Sequence, residues 1–403
     1  MATRPFDGIR IVEAASWAVV PGALAILSDW GAEVVKIEDP KGGDPSRGFF
    51  GLGQYPFETE LAPIYEQDNR NKRSVTLNLE HKTAREILYS LVKKADVFAT
   101  NYVPSVLKKF ALEYEDLAKI NPRLIYLHVN GYGDKGADAT RPGYDHNAYW
   151  ARGGLGLTLG EPGSFPVDSR GALGDQPTAM MAAGVIMAAL YVRERTGIAQ
   201  RLSLALYNAA MWQLGPDIVA CKLSGKVIPR KARSGGNPLS LYYQTKEGKW
   251  LRLCMPQIER YWSRFCKAMG REDLENDPRF VPAENRKKNN AELIHILEQT
   301  FATQPREYWG KRLDQNGCVW GLAQTIDEIV EDKQAWDNEF LVELEHPTTG
   351  KVTMVNSPGK FSKTPGWISS HSPLLGQHTE EVLLELGYKW DDLAKLKAEG
   401  AIL

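Results

Sequence analysis

The sequence predicts an α/β fold: an open, mostly parallel sheet with helices on both faces, plus a smaller α+β domain. Three observations predict it. Short apolar strand signals alternate with helical ones through the first half of the chain, the rhythm of a parallel sheet covered by crossover helices. A basic, Gly/Pro-rich stretch, KVIPRKARSGGNPLS, interrupts that rhythm after residue 224. Beyond it the pattern becomes a hairpin followed by short helices. The expected organisation is a large α/β domain over 1–224, a small α+β domain over 225–335, and a segment over 336–403 that returns to the large domain.

In chain order, GIRIVEA is a short apolar strand. PGALAILSDWG is a helix ended by Gly31, and AEVVKIE is the next strand. SVTLNL, DVFAT and LIYLHVN are further strands, separated by the helices TAREILYSLVKKA and YEDLAKINP. Lys108 and Lys109 are expected to open a helix. From about 178 to 195 a helix is apolar nearly all round, with small residues (Ala179, Ala182, Ala183, Gly184, Ala188, Ala189) that permit close packing. QRLSLAL is a strand, and one more helix runs to about 224. LYYQTKEGKWLRLCM forms the hairpin, turning at Lys246–Gly248, and HTEEVLLELG is an amphipathic helix.

The composition narrows the function. A net charge of −1 advertises neither nucleic acid nor an anionic membrane as a partner. The most apolar stretch, MMAAGVIMAALYV, has 13 residues, short of the roughly 20 that span a bilayer. The N-terminus lacks an apolar signal core, and Cys221, Cys254, Cys266 and Cys318 show no metal-ligand spacing. Both features fit a reducing cytoplasm, with no metal and no disulfide framework.

Several stretches are candidates for chemistry. The first βα unit invites a dinucleotide reading as a Rossmann-like domain, with Glu38 ending the second strand. Its turn, AASWAVVPG, lacks the glycines that let a backbone approach pyrophosphate. A literal G-x-G-x-x-G at Gly131, Gly133 and Gly136 is followed by ADATRPG, which is no helix, so it fails its context test. Three basic pieces (Arg70, Lys72 and Arg73; Lys108 and Lys109; Arg230, Lys231 and Arg233) read singly as solvated faces. Two of them fall at the ends of predicted strands, where open α/β sheets bind ligands. Asp175, in GALGDQPTAM, has two readings. It is a favoured helix N-cap, and it is a carboxylate that amide dipoles would hold ionised, a nucleophile needing no general base. Trp17, Tyr149 and Trp150 are candidates for an apolar site or for the core.

Taken together, the segments GIRIVEAASWAVVPGALAILSDWGAEVVKIEDP, NRNKRSVTLNL, DVFATNYVPSVLKKF, GYGDKG, RPGYD, GALGDQPTAM, TGIAQRLSLAL and PLLGQHTEEVLLELG stand in one order along essentially the whole chain. The sequence resembles the class III coenzyme A transferases. The resemblance implies that Asp175 attacks an acyl-CoA to form a mixed anhydride and then an aspartyl-CoA thioester. It implies coenzyme A as a substrate and no permanently bound cofactor. Lys72, Arg73, Asn101, Tyr102 and Lys109 would lie near the coenzyme, Tyr144 and Asp145 by its pantetheine end, and Gly235 and Gly236 in a mobile loop. It also implies a homodimer of interlocked chains.

Three positions depart from the formyl-CoA members: Ala18 replaces a glutamine, Asp39 an arginine and Lys109 an arginine. Loss of the glutamine speaks for a larger, more apolar acid than formate or oxalate. In LCMPQIERYW and AMGREDL the chain resembles the transferases of amino-acid fermentation that act on 2-hydroxy acids such as phenyllactate, and that resemblance implies an acid of this kind. Two alternatives stay open. One is an α-methylacyl-CoA racemase, whose histidine aligns with Tyr144, with His146 two positions on. The other is a non-catalytic CoA-binding protein.

Overall fold

The computed structural model describes residues 3–48, 61–230 and 232–403. The chain forms two compact units, one of Met1–Thr158, Pro166–Lys226 and Trp336–Leu403, the other of Leu159–Phe165 and Val227–Ala335.

In the larger unit, β1 (Arg10–Ala14), α1 (Val19–Asp29), β2 (Glu33–Glu38), α2 (Pro63–Asn69), β3 (Arg73–Thr76), α3 (Lys82–Lys94), β4 (Val97–Thr100), α4 (Pro104–Lys109), α5 (Tyr114–Ile120) and β5 (Ile125–Asn130) follow one another. A π-helical segment (Asp145–Arg152) and α6 (Leu155–Thr158) come next. They precede α7 (Asp175–Thr196), β6 (Arg201–Ala205), α8 (Leu206–Gln213) and α9 (Gly215–Ser224). The six strands run in the order β3-β2-β1-β4-β5-β6, all parallel. The order reverses between β1 and β4, which places the topological switch point of an open doubly wound sheet there.

Packing on both faces explains why the strands read as continuous apolar runs. On one face every residue of α1 is buried. This helix meets α7 closely: a Cβ on Gly22 would lie 3.3 Å from the Ala179 Cβ and 3.1 Å from Asp68 Oδ1. The buried Ala179, Ala182, Ala183 and Ala189 of α7 face that core, whereas Ala188 is exposed. On the other face α3 buries Ala84, Ile87, Leu88 and Val92, a helical stripe set against an otherwise polar surface. After the hairpin of β10 (Leu341–His346) and β11 (Gly350–Val355), α16 (Thr379–Glu385) and α17 (Trp390–Ala398) complete this second core with Val382, Leu383 and Leu393.

The smaller unit is an antiparallel sheet, β7 (Tyr242–Gln244), β8 (Trp250–Leu253) and β9 (Trp320–Ala323). Around it lie α10 (Ile258–Met269), α11 (Ala283–Lys288), α12 (Asn290–Phe301), α13 (Arg306–Gln315) and α14 (Ile326–Val330), with α15 (Lys333–Asp337) at its end. Leu251, Trp262, Phe265, Phe301 and Trp309 centre its core.

Two local expectations are corrected. The helix expected to run unbroken to 224 is split at Leu214, because Pro216 cannot donate a backbone hydrogen bond and restarts the helix as α9. Lys108 and Lys109 close α4 instead of opening it, and Pro104 takes the first turn. No described helix is long and apolar enough to cross a membrane.

Candidate active site

A cleft of about 290 Å³ opens at the carboxyl ends of β1, β4 and β5, on the switch point. Its lining includes Trp17 and Ala18 after β1, Asn101 and Tyr102 after β4, Gly131 after β5, Tyr144, and Asp175 at the head of α7. A larger recess of about 470 Å³, lined by Arg10, Glu33, Arg73 and Glu385, lies at the amino ends of the strands. Ligands of open α/β sheets bind at the opposite end.

Asp175 is the first residue of α7. Gly174 is the N-cap and carries no side-chain cap, so the capping expectation for Asp175 is corrected. The ionisation expectation is corrected as well. Burial raises the Asp175 carboxyl well above the ordinary carboxylate range, and the charges of Asp145 and Asp68 push it further. A helix dipole contributes less than dehydration beside two other acids. Asp145 comes from the π-helical segment. It is 4% exposed, and neither carboxyl oxygen has a partner in hydrogen-bonding geometry. Burial pushes it up to about 6, against the lowering pull of His146 and of the nearby amides of Gly174, Asp175 and Ala172. Only glycine fits at 174: a Cβ there would stand 2.2 Å from Asp145 Oδ1 and 2.3 Å from the Tyr149 ring. Asp68, also raised by burial, accepts both of its bonds from the Gln176 amide, at 2.9 and 3.0 Å. It thereby ties α2 to the first turn of α7.

Beneath the cleft lies a dry charge network. Glu13 and Lys36 stand opposite each other in β1 and β2. The Lys36 ammonium bridges Glu13 (2.7 Å) and Asp44 (2.8 Å), and Lys72 reaches the second Glu13 oxygen at 2.8 Å. All four side chains are fully buried. Charges at this depth persist because each is paired.

These placements revise several sequence expectations. Lys72 has no side-chain surface to offer a phosphate; it donates to Glu13, Pro21 O and Asn69. Arg73 begins β3, so it stands at the amino edge of the sheet, paired with Glu381 (3.0 Å) and Glu385 (2.7 Å). Lys109 is exposed, pairs with Glu80 and lies outside the cleft lining. Asn101 does line the cleft, but its amide is committed to the backbone of Ser16, accepting at 3.1 Å and donating at 2.7 Å. Tyr102 lines the cleft with its phenol pushed up to about 12 by burial. Tyr144 is 56% exposed at the rim. Gly235 and Gly236 belong to the smaller unit, where Asn290 donates to Ser234 O and Gly236 O, each at 2.7 Å. Arg230 and Arg233 also lie in that unit, and Lys231 falls outside the described residues.

Tyr149 is buried in the core, and Trp150 packs against the same core. The Gly131–Gly136 stretch is a turn with left-handed Gly133 and Gly136 and no following helix. His146 lies near Asp168 (3.7 Å), outside the cleft lining. The four cysteines are free, and among the described residues no cluster of acids, histidines and cysteines could hold a metal ion.

The sequence reading missed the acid group of Asp68 and Asp145 around Asp175, and the Glu13–Lys36–Asp44 network. One signal was present: a glutamate and a lysine inside the apolar strands RIVEA and EVVKIE. Opposite charges in strands buried on both faces imply an internal pair.

The fold and cleft define an open α/β protein that presents a dehydrated carboxyl at a sheet switch point. Comparison with known proteins narrows this: the CoA-transferase family III model matches residues 6–379. The chain belongs to that family. It is 33% identical to cinnamoyl-CoA:phenyllactate CoA-transferase of Clostridium sporogenes, covering 100% of this chain and 98% of that one. It is 30% identical to (R)-2-hydroxy-4-methylpentanoate CoA-transferase of Clostridioides difficile, covering 97% and 98%. A CAIB/BAIF family protein from Brucella suis shares the fold at a TM-score of 0.85 and 28% identity, over 96% of this chain and 100% of that structure.

Proposed function

We propose that this CoA-transferase moves coenzyme A onto an aryl or branched 2-hydroxy acid, with Asp175 as the nucleophile. The observation that carries the reading is the position of Asp175: it lines the cleft at the switch point, at the head of α7. In its ionised form one Asp175 oxygen attacks the thioester carbonyl. The C–S bond breaks, CoA leaves as thiolate, and a mixed anhydride remains. The thiolate then attacks the aspartyl carbonyl, forming an aspartyl-CoA thioester and releasing the donor acid. The acceptor carboxylate repeats the two steps in reverse. Because burial raises the Asp175 carboxyl, the nucleophilic form gains population as pH rises, so transfer should have an acid limb. The apolar stretch of lining, Trp17, Val19, Val103 and Leu206, supports an acid with a carbon-rich side chain, as do the substrates in the names of the two relatives.

The assembly we infer is a homodimer. Helix α9 has no buried residue although Ile218, Val219 and Leu223 are exposed on it, and Met180 and Tyr191 of α7 are exposed too. Unpartnered apolar surface of this kind marks an association face.

The test of the chemistry is trapping. Protein incubated with an acyl-CoA and quenched with hydroxylamine or borohydride is expected to carry a modification mapped by mass spectrometry to Asp175. Asp175→Ala should lose transfer while retaining CoA binding. A fully active Asp175→Ala chain would end this reading.

A further inference from the structure

The turn between β1 and α1 holds a tryptophan in a conformation that tryptophan avoids. Trp17 has φ +70°, the left-handed region that favours glycine, and a bulky residue there is strained. Such strain persists only where the surroundings over-determine it. Here they do. Lys36 Nζ donates to Ala15 O at 3.0 Å. Asn101 brackets Ser16 through its N–H and its carbonyl. The Trp17 N–H donates to Asp44 Oδ1 at 3.1 Å, and Gly22 N–H donates to Ala18 O at 2.7 Å. Asp44 is itself fixed by Lys36 and by the Ser46 amide and hydroxyl. Four consecutive residues are thus held by groups from β2, from the loop after it, from the loop after β4, and from α1.

The purpose of such a restraint is visible at the ring. The indole meets Tyr144 edge-on, centroids 6.2 Å apart and planes at 86°. Trp17 and Tyr144 both line the cleft that Asp175 also lines. We propose that Trp17 is the specificity-determining residue of this cleft: its indole, set against Tyr144, is the wall on which the acid's ring or branched chain packs. The buried charge network aims it there through the strained backbone. This rests on the transferase reading given above.

The experiment compares wild type, Trp17→Gly and Trp17→Phe, with one acyl-CoA donor and two acceptors, phenyllactate and lactate. Glycine adopts the left-handed turn without strain, so Trp17→Gly removes the ring and leaves the backbone geometry accessible; a thermal melt checks that it folds. The ratio of kcat/KM for phenyllactate to that for lactate is expected to fall about tenfold in Trp17→Gly, the scale of one lost aromatic contact. Trp17→Phe is expected to restore most of the ratio. An unchanged ratio in Trp17→Gly overturns the assignment. The Asp175 adduct is read in every chain. If it forms while the ratio stays constant, only the role of Trp17 falls; if wild type forms none, the transferase reading falls with it.

Discussion

Replacing Asp145 with asparagine removes the charge and nearly keeps the shape. Burial lifts this carboxyl from 3.8 to about 6, which corresponds to about 3 kcal/mol of disfavoured ionisation. The folded chain binds this proton more tightly than the unfolded chain does. The contribution therefore favours folding fully below the unfolded value and is lost as pH rises through about 6. Wild type should lose stability between about pH 4 and pH 7 on this account, and Asp145→Asn should lack that slope. At about pH 8 the variant is expected to exceed wild type by at most about 3 kcal/mol, less the cost of burying an amide without partners. The gain should vanish near pH 4. Urea unfolding of both chains at intervals across this range measures it. A stability difference that stays constant with pH refutes the reasoning. The same substitution relieves Asp175 of one of the two charges that raise it, so the acid limb of transfer should move to lower pH.

Two further outcomes are expected. Gly174→Ala drives a methyl into Asp145 Oδ1 and the Tyr149 ring, at 2.2 and 2.3 Å. It should cost about 1–3 kcal/mol by denaturation and slow transfer; wild-type stability would contradict the packing described. Light scattering should give a solution mass near twice 45.0 kDa, and Leu223→Glu, on the face of α9 that buries nothing, should shift the chain toward monomer. A monomeric wild type would remove the dimer.

Much of the fold was legible because its signals are local. β5, IYLHVN, carries apolar residues on both faces (Ile125, Leu127 and Val129 on one, Tyr126 on the other), since both faces of a parallel sheet are covered. Gly31 ends its helix at φ +109°, with Asp7 and Arg4 where a side chain would be. The break at Pro216 had a local signal, the Gly215–Pro216 pair; the expectation of one helix followed instead the apolar residues on either side, Leu214, Ile218 and Val219, and periodicity cannot show where two helices change direction.

The site divides differently. By itself the sequence determined the alternation of strands and helices, the segments that mark the family, and Asp175 at the start of α7, since these are contiguous patterns. Only the tertiary structure decided that Asp175 sits among Asp145 and Asp68, that Lys72 serves a buried network, and that Trp17 is held left-handed by Asp44. Each of these depends on residues distant in the chain, as Asp68 and Gln176 are. Electrostatic environment and dehydration are properties of what folding brings together, so they cannot be read from neighbours along the chain.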